Sequence, residues 1–310
     1  MDDGLTSLRP WAAAWVVCLG AVLGSFLNVI IARVPRGESI VRPRSRCPRC
    51  GAAIAWYDNV PVLSFVLLRA RCRACRAPIA VRYPLVEALV AAAAWGAWSR
   101  HGLGGAFAAE LAFVAILVAL AFIDADTWLL PHALTWPLLA LGVVASALGL
   151  SPATPVSSLA GAAAGFAAFA TVAWVGQKVF KKEALGFGDV WLLAGIGAWL
   201  GVRALLPVVL LASLQGSITG IVLLLLGRGA PGRIPAKPDA ASAVEPGAPA
   251  AAGPGTPAAA PSAAPPAAED DWVPPRHAVP FGPFLALGAI EWLYFADAIA
   301  GLVPPLRTFR

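Results

Sequence analysis

Charged residues are few in this sequence: 13% of its 310 positions are Asp, Glu, Lys or Arg, while 59% are apolar. Soluble domains carry about a quarter charged and about half apolar residues, so a water-solvated globular body is excluded. The mean hydropathy of +0.75 agrees: lipid solvates most of this chain. Tyrosine is scarce too, three residues against twelve Trp, and indole rings favour the membrane–water boundary. Cysteine is scarce as well: of five, four form two close pairs, and disulfides are not expected if those pairs face the cytoplasm. The formal charge is +6, but its Arg residues concentrate in one segment between apolar runs. That pattern is a membrane-topology signal, and no nucleic-acid partner is expected.

What is abundant is apolar runs. Crossing a bilayer takes about 20 apolar residues, and eight stretches qualify: 11–32, 84–100, 106–124, 128–150, 157–179, 189–202, 204–226 and 280–303. The sixth is short and could divide differently from the seventh. The first is read as a retained span, not a secretory signal, because Asp2 and Asp3 precede it where a basic region would stand. Val16 and Val17 before Cys18 do not suit a lipoprotein cleavage site. The expected fold is an all-α polytopic membrane protein of about eight transmembrane helices, with a small cytoplasmic segment between helices 1 and 2. Small-residue runs such as Ala91 to Ala94 and Ala162 to Gly165 suit close helix approach in lipid.

Loop charge sets the orientation. Residues 33–83 hold eleven Arg against only Glu38 and Asp58, which places the segment on the cytoplasmic side. Alternation puts Lys178, Lys181 and Lys182 on that side as well, and both termini outside. Residues 227–279 are rich in Ala, Pro, Gly and Ser and cannot bury enough apolar surface to offset chain ordering. The expected division is therefore a first span at 1–33, a cytoplasmic segment at 34–83, spans at 84–226, a disordered linker at 227–279 and a last span at 280–310.

Within the cytoplasmic segment, Cys47-Pro-Arg-Cys50 and Cys72-Arg-Ala-Cys75 are separated by 21 residues. Each pair can form a knuckle presenting two thiolates, and two knuckles complete a tetrahedral sulfur site suited to Zn²⁺. Such a metal is structural, since no coordination position is left for water. Redox chemistry or unused thiols are the competing readings. Cys18 is read as a small apolar helix residue.

Acids in or beside apolar spans are costly to place and so are functional candidates: Glu87, Glu110, Asp124, Asp126, Asp189, Glu291 and Asp297. Asp124 ends the third span and Asp189, after Gly186-Phe187-Gly188, opens the sixth, so both fall at the cytoplasmic ends of their helices. Two carboxylates sharing a proton can activate water against an amide, one as base and one as acid. Asp189, at a helix start, suits the anion, with Asp124 carrying the proton. Ordinary capping is the bland reading of each, and a transporter with proton-carrying acids is the alternative for the set. Asp126 is expected on another face, and the remaining acids to pair with polar neighbours.

Taken together, Gly24-Ser25-Phe26-Leu27-Asn28-Val29, the stretch Arg42 to Cys50, Asp58-Asn59-Val60-Pro61, Arg82-Tyr83-Pro84-Leu85-Val86-Glu87, Ile123-Asp124 through Leu130-Pro131, Gly186-Phe187-Gly188-Asp189 and Pro280-Phe281-Gly282-Pro283-Phe284 resemble the type IV prepilin leader peptidase family. These inner-membrane aspartic peptidases are also called prepilin peptidase/N-methyltransferases. The resemblance implies cleavage of the short basic leader of prepilins and pseudopilins at the cytoplasmic face, typically after a Gly. It also implies methylation of the new N-terminal amine with S-adenosylmethionine, in the service of type IV pili or type II secretion. By position, Asp124 and Asp189 inherit catalysis, and Cys47, Cys50, Cys72 and Cys75 the zinc; no donor-binding residue follows from it. His132, Trp191 and the long 227–279 linker depart from the family pattern without removing a catalytic group. A non-catalytic assembly factor is the remaining alternative.

Overall fold

The computed structural model describes residues 3–180, 186–226 and 279–309. Each predicted span falls on one helix: α1 Asp3–Arg33, α3 Arg82–His101, α4 Gly105–Thr127, α5 His132–Ala147, α6 Pro155–Phe180, α7 Phe187–Leu200, α8 Leu205–Leu225 and α9 Gly282–Leu302. A five-residue helix, α2 (Leu63–Leu67), lies in the segment between α1 and α3. Among the described residues there is no β-strand, only two isolated bridges. The predicted linker lies outside the described residues except for Val279, as do Lys181 and Lys182.

Five helices are long and apolar enough to cross a membrane unaided: those containing Pro10–Arg36, Gly105–Thr127, Pro155–Val179, Val202–Leu225 and Gly282–Leu302. The apolar helices α5 and α7 are shorter, at 16 and 14 residues, and α3 is the least apolar of the long helices. The predicted fourth span loses its first four residues because Trp128 enters the left-handed region (φ 58°) and ends α4, and α5 starts only after Pro131. The division between the sixth and seventh spans falls at Gly201 (φ 85°), a backbone conformation that suits glycine.

In lipid, helices gain little from apolar burial against each other, so close approach of small residues carries the association. Gly20 and Gly24 of α1, one turn apart, lie against the backbones of Ala91 and Glu87 of α3. Gly161 of α6 meets Gly197 of α7, and Gly165 meets Leu193, so these two helices run antiparallel in tight contact. Gly142 of α5 meets Ala198, and Leu138 meets Gly195, which sets α5 parallel to α7. Phe113 of α4 stacks on Trp199 of α7 at 4.6 Å in the centre of the bundle.

These contacts fix levels along the bundle. Continuing the α6–α7 register places Asp189 opposite Phe169. From Phe169, α6 runs eleven residues on to Phe180, about 16 Å further at the helical rise.

Candidate active site

Asp124 is placed by the way α4 ends. The Trp128 N–H closes on the Asp124 carbonyl at 2.9 Å, and the Thr127 hydroxyl bonds the Ile123 carbonyl at 2.8 Å. The side chain therefore projects from the last full turn before the chain reverses. Asp189 is placed by the start of α7, where Gly186 caps in an extended conformation and Asp189 lies in the first turn. A Cβ on Gly188 would lie 2.5 Å from the Leu130 Cβ, so only glycine lets α7 come this close to the α4–α5 connection.

The two carboxylates are 6% and 8% exposed and near enough to act on one another electrostatically. A third helix completes the site. The Gly282 N–H, the first free donor of α9, bonds Asp124 Oδ2 at 3.0 Å. Pro283 follows it and has no N–H of its own. Phe281 contacts Phe169 at 6.1 Å between ring centroids, in agreement with the level set by the α6–α7 register. Asp189 Oδ1 is buried with no hydrogen-bond partner among the described residues. Two acids, one oriented by a backbone donor and one with an open acceptor, form a group able to bind and activate a water.

The segment before α3 repeats one local structure. The Cys47 N–H bonds the Ala52 carbonyl at 2.9 Å and the Gly51 N–H bonds the Cys47 carbonyl at 2.9 Å. Twenty-five residues on, Cys72 pairs with Ala77 at 2.8 Å and Arg76 with Cys72 at 3.0 Å. Gly51 and Arg76 both take the left-handed conformation that closes each knuckle, at φ 68° and 59°. The four Sγ atoms lie within 4.8 Å of one another, with Cys47 and Cys75 at 3.9 Å. A tetrahedral site with Zn–S bonds of about 2.3 Å needs sulfurs about 3.8 Å apart, so the group could hold a metal ion. The Cys47 thiol is pulled down to about 6, chiefly by the Cys50 N–H. At Cys75 the Ala77 N–H acts downward, but burial and the neighbouring thiols outweigh it and raise the value to about 11. A cation is what lets four such thiolates coexist.

The other acids take partners elsewhere. Asp126 pairs with Arg82, at the start of α3. Glu87 accepts the Val62 N–H at 2.7 Å. Glu110 meets His101 at 2.8 Å and Arg100 at 3.5 Å, fourteen residues before Asp124 on α4 and about 21 Å along its axis. Glu291 receives the Gln215 amide at 2.5 Å.

Residues 18–101 match the Bacterial Peptidase A24 N-terminal domain and residues 111–221 match the Type IV leader peptidase family. The chain is 43% identical to the Prepilin leader peptidase/N-methyltransferase of Myxococcus xanthus, over 95% of this chain and 93% of that protein. It is 38% identical to the protein of that name from Burkholderia pseudomallei (69% and 77% covered). For the one from Pseudomonas aeruginosa the identity is 37% (77% and 91% covered). The chain belongs to the type IV leader peptidase family.

No solved structure gives a significant match. The leader peptidase match covers most of α4 through most of α8, with both aspartates, and the N-terminal match covers all four knuckle cysteines. Sequence reasoning missed the part of Gly282. Its signal was present as the Gly-Pro step that opens the last span, but nothing local tells which acid that N–H meets. Of the departures from the family pattern, Trp191 touches Phe166, Phe187, Trp136 and His132 in an aromatic cluster beside Asp189.

Proposed function

We propose that this protein is a membrane aspartic endopeptidase that removes the leader of type IV prepilins and pseudopilins, with Asp124 and Asp189 as its catalytic pair. What supports the reading is that two buried carboxylates from separate helices lie at one level of the bundle, within electrostatic reach of each other. The ionised member of the pair takes a proton from water as its oxygen attacks the scissile carbonyl carbon. The protonated member gives its proton to the leaving nitrogen as the C–N bond breaks. The helix start favours charge on Asp189, whereas the Gly282 N–H supports it on Asp124, so the shared proton belongs to the pair.

The arginine excess between α1 and α3 supports a cytoplasmic position for the cysteine segment. The aspartates, at the same ends of their helices as that segment, then lie at the cytoplasmic side of the inner membrane. The extra length of α6 past Asp189 supports a recessed site sheltered from bulk water. Cys47, Cys50, Cys72 and Cys75 would hold a structural Zn²⁺ that joins two knuckles in a segment with little core of its own. The relatives' name includes a second activity, and we extend it to this chain as N-methylation of the new N-terminal residue. S-adenosylmethionine supplies the methyl group when bound; we assign no side chain to it.

The test is incubation of purified protein with a synthetic prepilin, with and without S-adenosylmethionine, read by mass spectrometry. Wild type should release the leader and add a methyl group to the mature peptide only with the donor. Asp124→Ala and Asp189→Ala should do neither, while still binding metal. Unchanged cleavage in either variant rejects the assignment of the pair.

A further inference from the structure

The helix α2 is inside out for a water-facing module. Leu63, Val66 and Leu67, at i, i+3 and i+4, share one face and are 53%, 63% and 72% exposed. The polar Ser64 is the buried one: its hydroxyl donates to the Tyr57 carbonyl and accepts the Val60 N–H, both at 3.1 Å. A stripe of large apolar side chains turned outward over a satisfied polar interior suits a surface that meets lipid.

The depth of α2 agrees. The Val62 N–H bonds Glu87 Oε2 at 2.7 Å, and Glu87 lies in the second turn of α3. The start of α2 therefore sits where a spanning helix enters the bundle. After α2, Arg69 and Ala70 take left-handed conformations and turn the chain sharply. Leu67, Leu68, Arg69, Arg71, Arg73 and Arg76 then line a concavity of about 750 Å³. Residues 62–76 contain four arginines and no acid. Asp58 engages Arg73, whereas Arg69, Arg71 and Arg76 are exposed and have no ion-pair partner among the described residues.

We propose that this face binds the phosphate headgroups of anionic phospholipids, with the α2 stripe against their acyl chains, and so seats the cysteine module on the membrane. Guanidinium forks match phosphate oxygens in geometry and charge. Free phosphate would satisfy the arginines but leave Leu63, Val66 and Leu67 in water, and a basic leader peptide would be repelled. The inference does not depend on which residues are catalytic.

The experiment uses the full chain in nanodiscs of phosphatidylcholine, with or without phosphatidylglycerol. Lipid retention is read by native mass spectrometry and protection of residues 62–71 by hydrogen exchange. Wild type should retain phosphatidylglycerol in preference and protect α2 only when it is present. The triple variant Arg69→Gln/Arg71→Gln/Arg76→Gln should lose affinity on the order of a hundredfold, since each arginine near an anionic surface contributes about fivefold. A second variant, Leu63→Ser/Val66→Ser/Leu67→Ser, should lose the protection with its arginines intact. Metal content reports whether each variant has folded; if one has not, the wild-type comparison between the two lipids decides. Equal retention of both lipids overturns the proposal. So does protection produced by inorganic phosphate alone, or protection that appears only on adding prepilin.

Discussion

The N–H of Gly282 donates to Oδ2 of Asp124 across 158 positions of chain, and so ties the start of the last helix to the end of α4. The link orients one carboxylate of the pair and closes the site on a side that neither aspartate's own helix reaches.

Replacing Asp124 or Asp189 with Asn keeps the shape and removes the charge. Each change should lower leader cleavage by about 10²–10⁴-fold, the range supplied by a positioned acid or base. A rate within about tenfold of wild type for either variant, by mass spectrometry of a synthetic prepilin, rules out shared acid–base work.

Gly282→Ala should damage cleavage without touching any acid. The added Cβ would lie 2.6 Å from Asp124 Oδ2, so the carboxylate or the start of α9 must shift. A displacement of about 1 Å at a reacting group costs on the order of 10²-fold. The expected signature is a fall in kcat with KM and metal content near wild type.

Removing the metal should act on the module first. With four thiolate ligands, elemental analysis should return one Zn²⁺ per chain, and Cys47→Ser or a strong chelator should release it. Hydrogen exchange through residues 45–80 should then rise, and methylation should fall at least as far as cleavage. Full retention of both activities by metal-free protein removes the structural role.

Acid should loosen the contact between the two halves of the module. Arg73 bonds Asp58 through two nitrogens, at 2.7 and 2.6 Å, and holds that carboxyl below its usual range. A lowered folded-state value means that the contribution is present above the ordinary Asp value and is lost as pH falls through the lowered one. Thermal scans of wild type should lose stability over that acidic window more steeply than scans of Asp58→Asn. Parallel curves would count against the pair.

Packing at the α6–α7 contact should be intolerant of size. A methyl group on Gly161 would strike the Gly197 carbonyl. Gly161→Leu should therefore lower stability in detergent by about 1–3 kcal/mol, the range for overpacked cores. Cleavage should fall with it, because the same register sets the level of Asp189. An unshifted melting temperature contradicts that packing.

Eight helices, their order and the two cysteine knuckles were legible in the residues alone. Hydropathy over about 20 residues and a spacing of two between cysteines are local properties, and the elements they specify form wherever the rest of the chain goes. The acids were legible only as candidates, since seven border or enter apolar spans and each has a similar local setting. Tertiary structure decided their partners: Asp126 goes to Arg82, Glu110 to His101 and Glu291 to Gln215, while Asp124 takes the Gly282 N–H and lies within electrostatic reach of Asp189. That choice depends on helix register, which glycine contacts such as Gly161 with Gly197 set between positions far apart in the chain.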